Sequence, residues 1–159
     1  MAALEVDVQL ACDEPGIPSQ ADIYDWVEIA VGQSARVPAH DVEVAVRIVD
    51  ADEIRTLNKH YREQDKATNV LSFPAGKIEG LPNDARLLLG DVVICASVVA
   101  AEAMEQGKSL ADHWGHILVH GTLHLLGFEH ETDAAAAEME GLETRILARR
   151  SVTDPYASS

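Results

Sequence analysis

The sequence predicts an α+β fold, a small mixed β-sheet packed against helices. Three observations carry the prediction. Four segments read as strands and five as capped, periodic helices. Their order, βαβαββααα, suggests a layer of helices on one small sheet. The chain has 159 residues, 47% of them apolar, with no internal repeat and no interdomain linker, so residues 1–159 read as one domain with a sizeable core.

"LEVDVQLA" (4–11) alternates apolar and polar residues at period two, the pattern of a strand. "DEPGIPSQ" is a loop of turn residues. Ser19 caps a helix running to about Gln33, with Ile23, Trp26, Val27, Ala30 and Val31 on one face. "VEVAVRIVD" (42–50) is a second strand, with Val42, Val44, Val46 and Ile48 on one side and Glu43, Ala45, Arg47 and Val49 on the other. Asp50 caps a short helix from 51 to about 60, with Glu53 at the third position of a capping box. "NVLSFP" (69–74) is a strand stopped by Pro74, and "GKIEGLPND" is a flexible turn. "ARLLLGDVVIC" (85–95) is the last strand, where Gly90 signals a bulge or a close backbone approach. Helices follow over 97–107, from Ser109 to Gly127, and from about Thr132 to Arg150.

Charge and composition narrow the function. Net charge is −15, which argues against a general nucleic-acid binder and gives no expectation of DNA as a partner. The charge is uneven. Residues 47–77 carry six of the twelve basic residues (Arg47, Arg55, Lys59, Arg62, Lys66 and Lys77) against five acids, a net +1, and the remainder carries −16. A polyanion is drawn to that segment and repelled elsewhere. No apolar run spans a bilayer, and "MAALEVDVQLACDEP" lacks the basic and apolar regions of a secretory signal, so a cytoplasmic protein with no membrane partner is expected. Cys12 and Cys95 lie far apart and form no C-x-x-C pair, which fits reduced thiols and gives a thiolate metal site no support.

The chemistry gathers in "HILVHGTLHLLGFEH" (116–130). His120 and His124 stand four apart on a predicted helix, one turn apart on one face. Two imidazoles so placed can bind one tetrahedral zinc. His116 extends the row but lies about 12 Å along the axis from His124, so a third ligand must come from off the helix. Gly127 can take the left-handed conformation and turn the chain, which sets His130 to swing back under the helix. The pattern H-G-x-x-H-x-x-G-x-x-H matches the three-ligand metzincin motif in every element except the glutamate after the first histidine, here Gly121. One zinc per chain, with an open position, is the expectation. His116 reads as a substrate-facing or supporting group, or as a packed core histidine. His113 reads as a surface or capping residue.

Gly121 has no side chain to accept a proton, which disfavours the metallopeptidase route. An open three-histidine zinc can still polarise a phosphoryl oxygen or lower the pKa of bound water to about 7. A glycine inside a helix costs up to about 1 kcal/mol relative to alanine, so backbone or substrate is expected to come close there.

"HWGHILVHGTLHLLGFEH", "YREQDKATNVLSFP" and "LLLGDVVIC" together closely resemble the YbeY family of bacterial endoribonucleases, and the likeness runs from "VQLA" at 8–11 to "DPY" at 154–156. The resemblance implies an α+β fold and zinc held by His120, His124 and His130. It implies a key functional role for Arg62, and a single-strand-specific endoribonuclease in ribosomal RNA maturation, notably at the 3′ end of the small-subunit RNA, and in ribosome quality control. Ribosomal RNA, the ribosome and ribosome-associated proteins are the partners implied. On this reading Arg62 holds a phosphate, and Arg47, Lys59 and Lys66 are further candidate RNA contacts. The rival is a non-catalytic ribosome-assembly factor with a structural zinc. Two positions depart from the family pattern: Glu129 stands where Asp is usual, and Ala67 where Pro is common.

Overall fold

Strand β2 (Val42–Val49) sets the architecture because both its faces are apolar enough to bury. It lies inside a four-stranded sheet of order β1-β2-β4-β3, completed by β1 (Leu4–Leu10), β3 (Val70–Pro74) and β4 (Leu87–Cys95). The β1–β2 and β2–β4 pairs are parallel, and β3 runs antiparallel along the β4 edge. The computed structural model describes residues 3–35, 41–75 and 87–152. The expected glycine-rich turn at 76–84, Lys77 and the 154–156 segment lie outside the described residues.

Among the described residues five helices complete the order β1-α1-β2-α2-β3-β4-α3-α4-α5, the order expected from sequence. They are α1 (Gln20–Gln33), α2 (Ala51–Arg62), α3 (Ala96–Gln106), α4 (Leu110–Leu125) and α5 (Asp133–Ala148). The caps hold. The Ser19, Asp50 and Ser109 side chains accept from the backbone N–H groups of Asp22, Glu53 and Asp112 at 3.1, 2.8 and 3.1 Å. The capping box at α2 is only half made, because the Glu53 carboxylate turns away to Arg47.

One face of the sheet, with Val44, Val46, Ile48, Val92 and Ile94, packs on Ile23 and Val27 of α1 and on Trp114 and Leu118 of α4. The other face, with Val49, Leu71 and Val93, is covered by Ile54 and Leu57 of α2. A third cluster lies on the far side of α4, where Val119 and Leu123 meet Met139, Leu142, Ile146 and Leu147 of α5. Helix α4 is therefore enclosed by the sheet and its neighbouring helices. Each fully buried aliphatic side chain in these clusters contributes roughly 1.5–3 kcal/mol.

Gly90 is where the sheet needs the absence of a side chain. The register slips between Glu43 and Val44, φ at Gly90 is +144°, and a Cβ there would meet the Phe73 carbonyl oxygen at 2.3 Å. The bulge and the close backbone approach read from the sequence are both present.

Candidate metal centre

Between His113 and Leu125, every residue of α4 is buried except His116, His120 and His124, which form a half-buried stripe along one side. The four-residue spacing alone aligns them. Past the first turn of the helix, burial of the other residues leaves that stripe as the face toward the surface.

The end of α4 then turns as glycine allows. Gly127 has φ +93°. Its N–H donates to the His124 carbonyl at 3.1 Å, and the Phe128 N–H reaches back to the Leu123 carbonyl at 3.1 Å. These two bonds are the paired closures of a Schellman motif, and Phe128 packs in the same apolar cluster as Leu123. The reversal brings exposed His130 back to the stripe, with ring centroids 5.9 Å from His120 and 5.1 Å from His124. Each of the three histidines offers a nitrogen, and these atoms lie within 4.8 Å of one another.

Hydrogen bonding selects which nitrogens face inward. His120 Nδ1 lies 2.5 Å from Glu143 Oε1, and His124 Nδ1 lies 2.9 Å from the Phe128 carbonyl oxygen. A carboxylate and a carbonyl only accept, so both Nδ1 atoms carry the proton and both Nε2 atoms present lone pairs. Those Nε2 atoms stand 3.1 Å apart. Two bare lone pairs at that distance repel unless a cation lies between them. Two nitrogens bound at about 2.0–2.1 Å to one tetrahedral zinc stand roughly 3.3–3.4 Å apart, so the donor set fits the ion. Burial, followed by the neighbouring His120, pushes the His124 pKa down to about 4, which keeps the imidazole in its ligating, neutral form.

Glu143 is the residue that sequence reading missed. It is fully buried on α5 and joins two histidines, with Oε1 on His120 and Oε2 3.3 Å from His116 Nε2. A signal was present: Met139, Leu142, Ile146 and Leu147 mark the buried stripe of α5, and Glu143 is the acid set within it. Carboxylates behind ligating histidines fix the tautomer and raise ligand basicity. His116 thus shares a carboxylate with His120.

The expectation that His113 sits at the surface or caps a helix is corrected. It is 3% exposed, with Nε2 3.0 Å from Glu102 Oε1, and Asn69 Nδ2 donates to the same oxygen at 3.1 Å. Position 113 falls on the side of α4 that meets α3. Burial holds its pKa below the ordinary histidine value.

Gly121 has a structural reason. A Cβ there would meet Val92 Cγ1 at 2.7 Å and Val70 Cγ2 at 3.2 Å, so the residue faces the sheet rather than the histidines. Ser72 Oγ donates to the Gly121 carbonyl at 2.9 Å, which ties β3 to α4. The close approach read at Gly121 is to strand side chains.

The basic candidates lie around α2. Arg62 is exposed at the last residue of the helix, and its side chain makes no hydrogen bond or ion pair among the described residues. Glu63 follows in the left-handed region (φ +58°), and Asn58 Nδ2 donates to the Lys66 carbonyl at 3.0 Å, so the turn after Arg62 is held in place. Lys59 and Lys66 are exposed. Arg47 is already engaged: its Nε and Nη2 donate to the Glu53 carboxylate at 2.6 and 3.1 Å. Ala67 is half-buried against the α2-side cluster, and Glu129 is exposed.

The fold and site together define a class: an α+β protein whose central helix ends in a three-histidine cluster suited to a metal ion. The sequence model of the family described as Endoribonuclease YbeY matches residues 13–151. A protein of Xanthomonas axonopodis pv. citri named Endoribonuclease YbeY is 53% identical over 155 residues, 97% of this chain and 94% of its own length. A relative of the same name from Stenotrophomonas maltophilia is 50% identical over the same shares. Among solved structures, the solution structure of TM1509 from Thermotoga maritima aligns with a TM-score of 0.58 at 26% identity, covering 95% of this chain and 99% of that one. The chain belongs to the Endoribonuclease YbeY family.

Proposed function

We propose that this protein is a zinc-dependent endoribonuclease of one domain, residues 1–159, that cleaves single-stranded segments of ribosomal RNA precursors in the cytoplasm. In this reading it works in small-subunit 3′-end maturation and ribosome quality control. The observation that carries the metal is the pair of Nε2 atoms 3.1 Å apart, each backed by an acceptor on Nδ1. His120, His124 and His130 would hold one zinc, and the ion would supply Lewis acidity to the scissile phosphate. Family membership supports the RNA substrate.

The protein's own residues then divide the work. Glu143 orients His120 and, through its second oxygen, His116. Arg62, with a planar guanidinium that has no ion-pair partner among the described residues, grips phosphate oxygens and stabilises charge that develops there. Lys59 and Lys66 add phosphate contacts at the same end of α2. Arg47 would have to give up Glu53 to join them. Overall acidity keeps affinity for naked RNA low, so the ribosome and its associated proteins supply the rest of the recognition.

The test compares Arg62→Glu and Arg62→Lys with the unmodified protein for cleavage of precursor ribosomal RNA and zinc content. Arg62→Glu is expected to lose cleavage by at least about 100-fold with zinc and folding intact. Lysine rescues only in part, because an ammonium cannot grip two oxygens at once. Wild-type cleavage by Arg62→Glu would overturn its role. The assembly-factor reading differs at His124→Ala: a folded variant that loses cleavage counts against a purely structural zinc.

A further inference from the structure

On the face of the sheet opposite the histidines, beside α2, lies a cavity of about 390 Å³ that the proposed chemistry does not use. Its floor is a stripe across the strands, where Ala45 pairs with Asp91 and Asp91 with Phe73, so these three side chains share one face. Leu57 and Tyr61 of α2 form one wall. Tyr61 is 60% exposed, and its ring meets Phe73 edge to face at 5.1 Å. An aromatic pair left this open at a cavity rim offers a stacking platform.

The charges around it select what can enter. Arg47 is committed to Glu53, and exposed Asp91 adds a further carboxylate, so the lining carries a net negative charge. A phosphate is repelled. A neutral planar group that donates N–H bonds is accepted. Arg62, one residue after Tyr61, is not among the residues lining the cavity and is a cation with no ion-pair partner among the described residues. This division, cation outside and aromatic pair with carboxylate inside, matches a nucleotide whose phosphate stays on the surface while its base turns in.

We infer that the Tyr61–Phe73 cavity binds one unpaired purine base of a single-stranded RNA, stacked on the exposed Tyr61 ring, which Phe73 braces edge to face, with its N–H edge on Asp91. Guanine is favoured, because its adjacent N1–H and exocyclic amine donate to both oxygens of one carboxylate. The inference rests on the reading of the protein as an enzyme of RNA, and it makes the cavity a determinant of which single-stranded sequences are held.

The experiment uses the zinc-loaded full chain and short single-stranded RNA oligonucleotides carrying guanosine, uridine or an abasic residue at each position in turn. Tyr61→Ala is expected to weaken binding of the guanosine oligonucleotide about tenfold or more, with zinc content unchanged, while Tyr61→Phe stays within about twofold. An abasic residue at one position should weaken binding to the wild type and not further weaken binding to Tyr61→Ala. Asp91→Ala should erase the preference for guanosine over uridine. Equal affinity of Tyr61→Ala and wild type for every oligonucleotide overturns the proposal, whether or not the protein cleaves RNA. The full pattern in a protein that binds without cleaving upholds the cavity and removes the catalytic reading instead.

Discussion

Glu143 changes how the histidines are understood. A buried carboxylate is costly unless strong donors satisfy it, and here two imidazoles lie against it. Glu143→Gln keeps the volume and one acceptor but removes the charge. Zinc affinity is expected to fall about 10–100-fold with the fold retained, measured by competition with a chelator. Unchanged affinity would reduce Glu143 to a packing residue. The His124 pKa yields a second prediction at this scale. In the unfolded chain histidine titrates near 6.5, and in the folded metal-free protein His124 titrates near 4. The unfolded state therefore takes up the proton first as pH falls. The stability linked to His124 is full above about pH 6.5 and drains away down to about pH 4, by at most about 3 kcal/mol. Urea unfolding of metal-free protein at pH 7 and pH 4 should show a loss that is larger by that amount in the wild type than in His124→Gln. Equal losses would mean that burial does not hold this imidazole neutral.

At the scale of elements, α4 and the turn after it form one device. The helix is anchored by the sheet, α1 and α5, and the Schellman closure at Gly127 sets where His130 arrives. Two glycine-to-alanine substitutions separate turn chemistry from helix propensity. Gly127→Ala places a Cβ at φ +93° and should cost about 1–2 kcal/mol while also weakening zinc binding, because His130 is displaced. Gly141→Ala, in the exposed middle of α5 with open space around the new methyl, should stabilise by up to about 1 kcal/mol and leave zinc binding alone. Denaturant midpoints and zinc titrations of both variants check the contrast. A Gly127→Ala protein as stable as wild type would remove the turn as the device that sets His130.

Across the whole molecule, a net charge of −15 surrounds a small basic segment at the end of α2. With Arg62, Lys59 and Lys66 as the phosphate contacts, the logarithm of affinity for single-stranded RNA should fall against the logarithm of salt with a slope of about −2. Removing Arg62 should flatten it by about 0.7. Anisotropy titrations from low to moderate salt measure both, and a slope much steeper than −4 would reveal a larger basic surface. The folded arrangement also separates two faces: Val70 and Ser72 of edge strand β3 meet the histidine-bearing helix, and Leu71 and Phe73 face α2 and the aromatic cavity. In the proposed function, an RNA strand crossing that edge would meet both.

The sequence by itself determined everything that depends on short-range periodicity. Alternation in "VEVAVRIVD", the Ser19, Asp50 and Ser109 caps, the aligned His120–His124 pair and the Gly127 turn were all legible, because each arises within one or two turns of the chain. Tertiary structure decided the rest. It placed β3 at the β4 edge, buried His113 against Glu102, paired Arg47 with Glu53, and turned Gly121 to the strands instead of the histidines. It brought Glu143 to His120 from 23 residues away. Which two faces meet across such separations follows from how whole elements pack to exclude water, and one local window of sequence does not contain both partners.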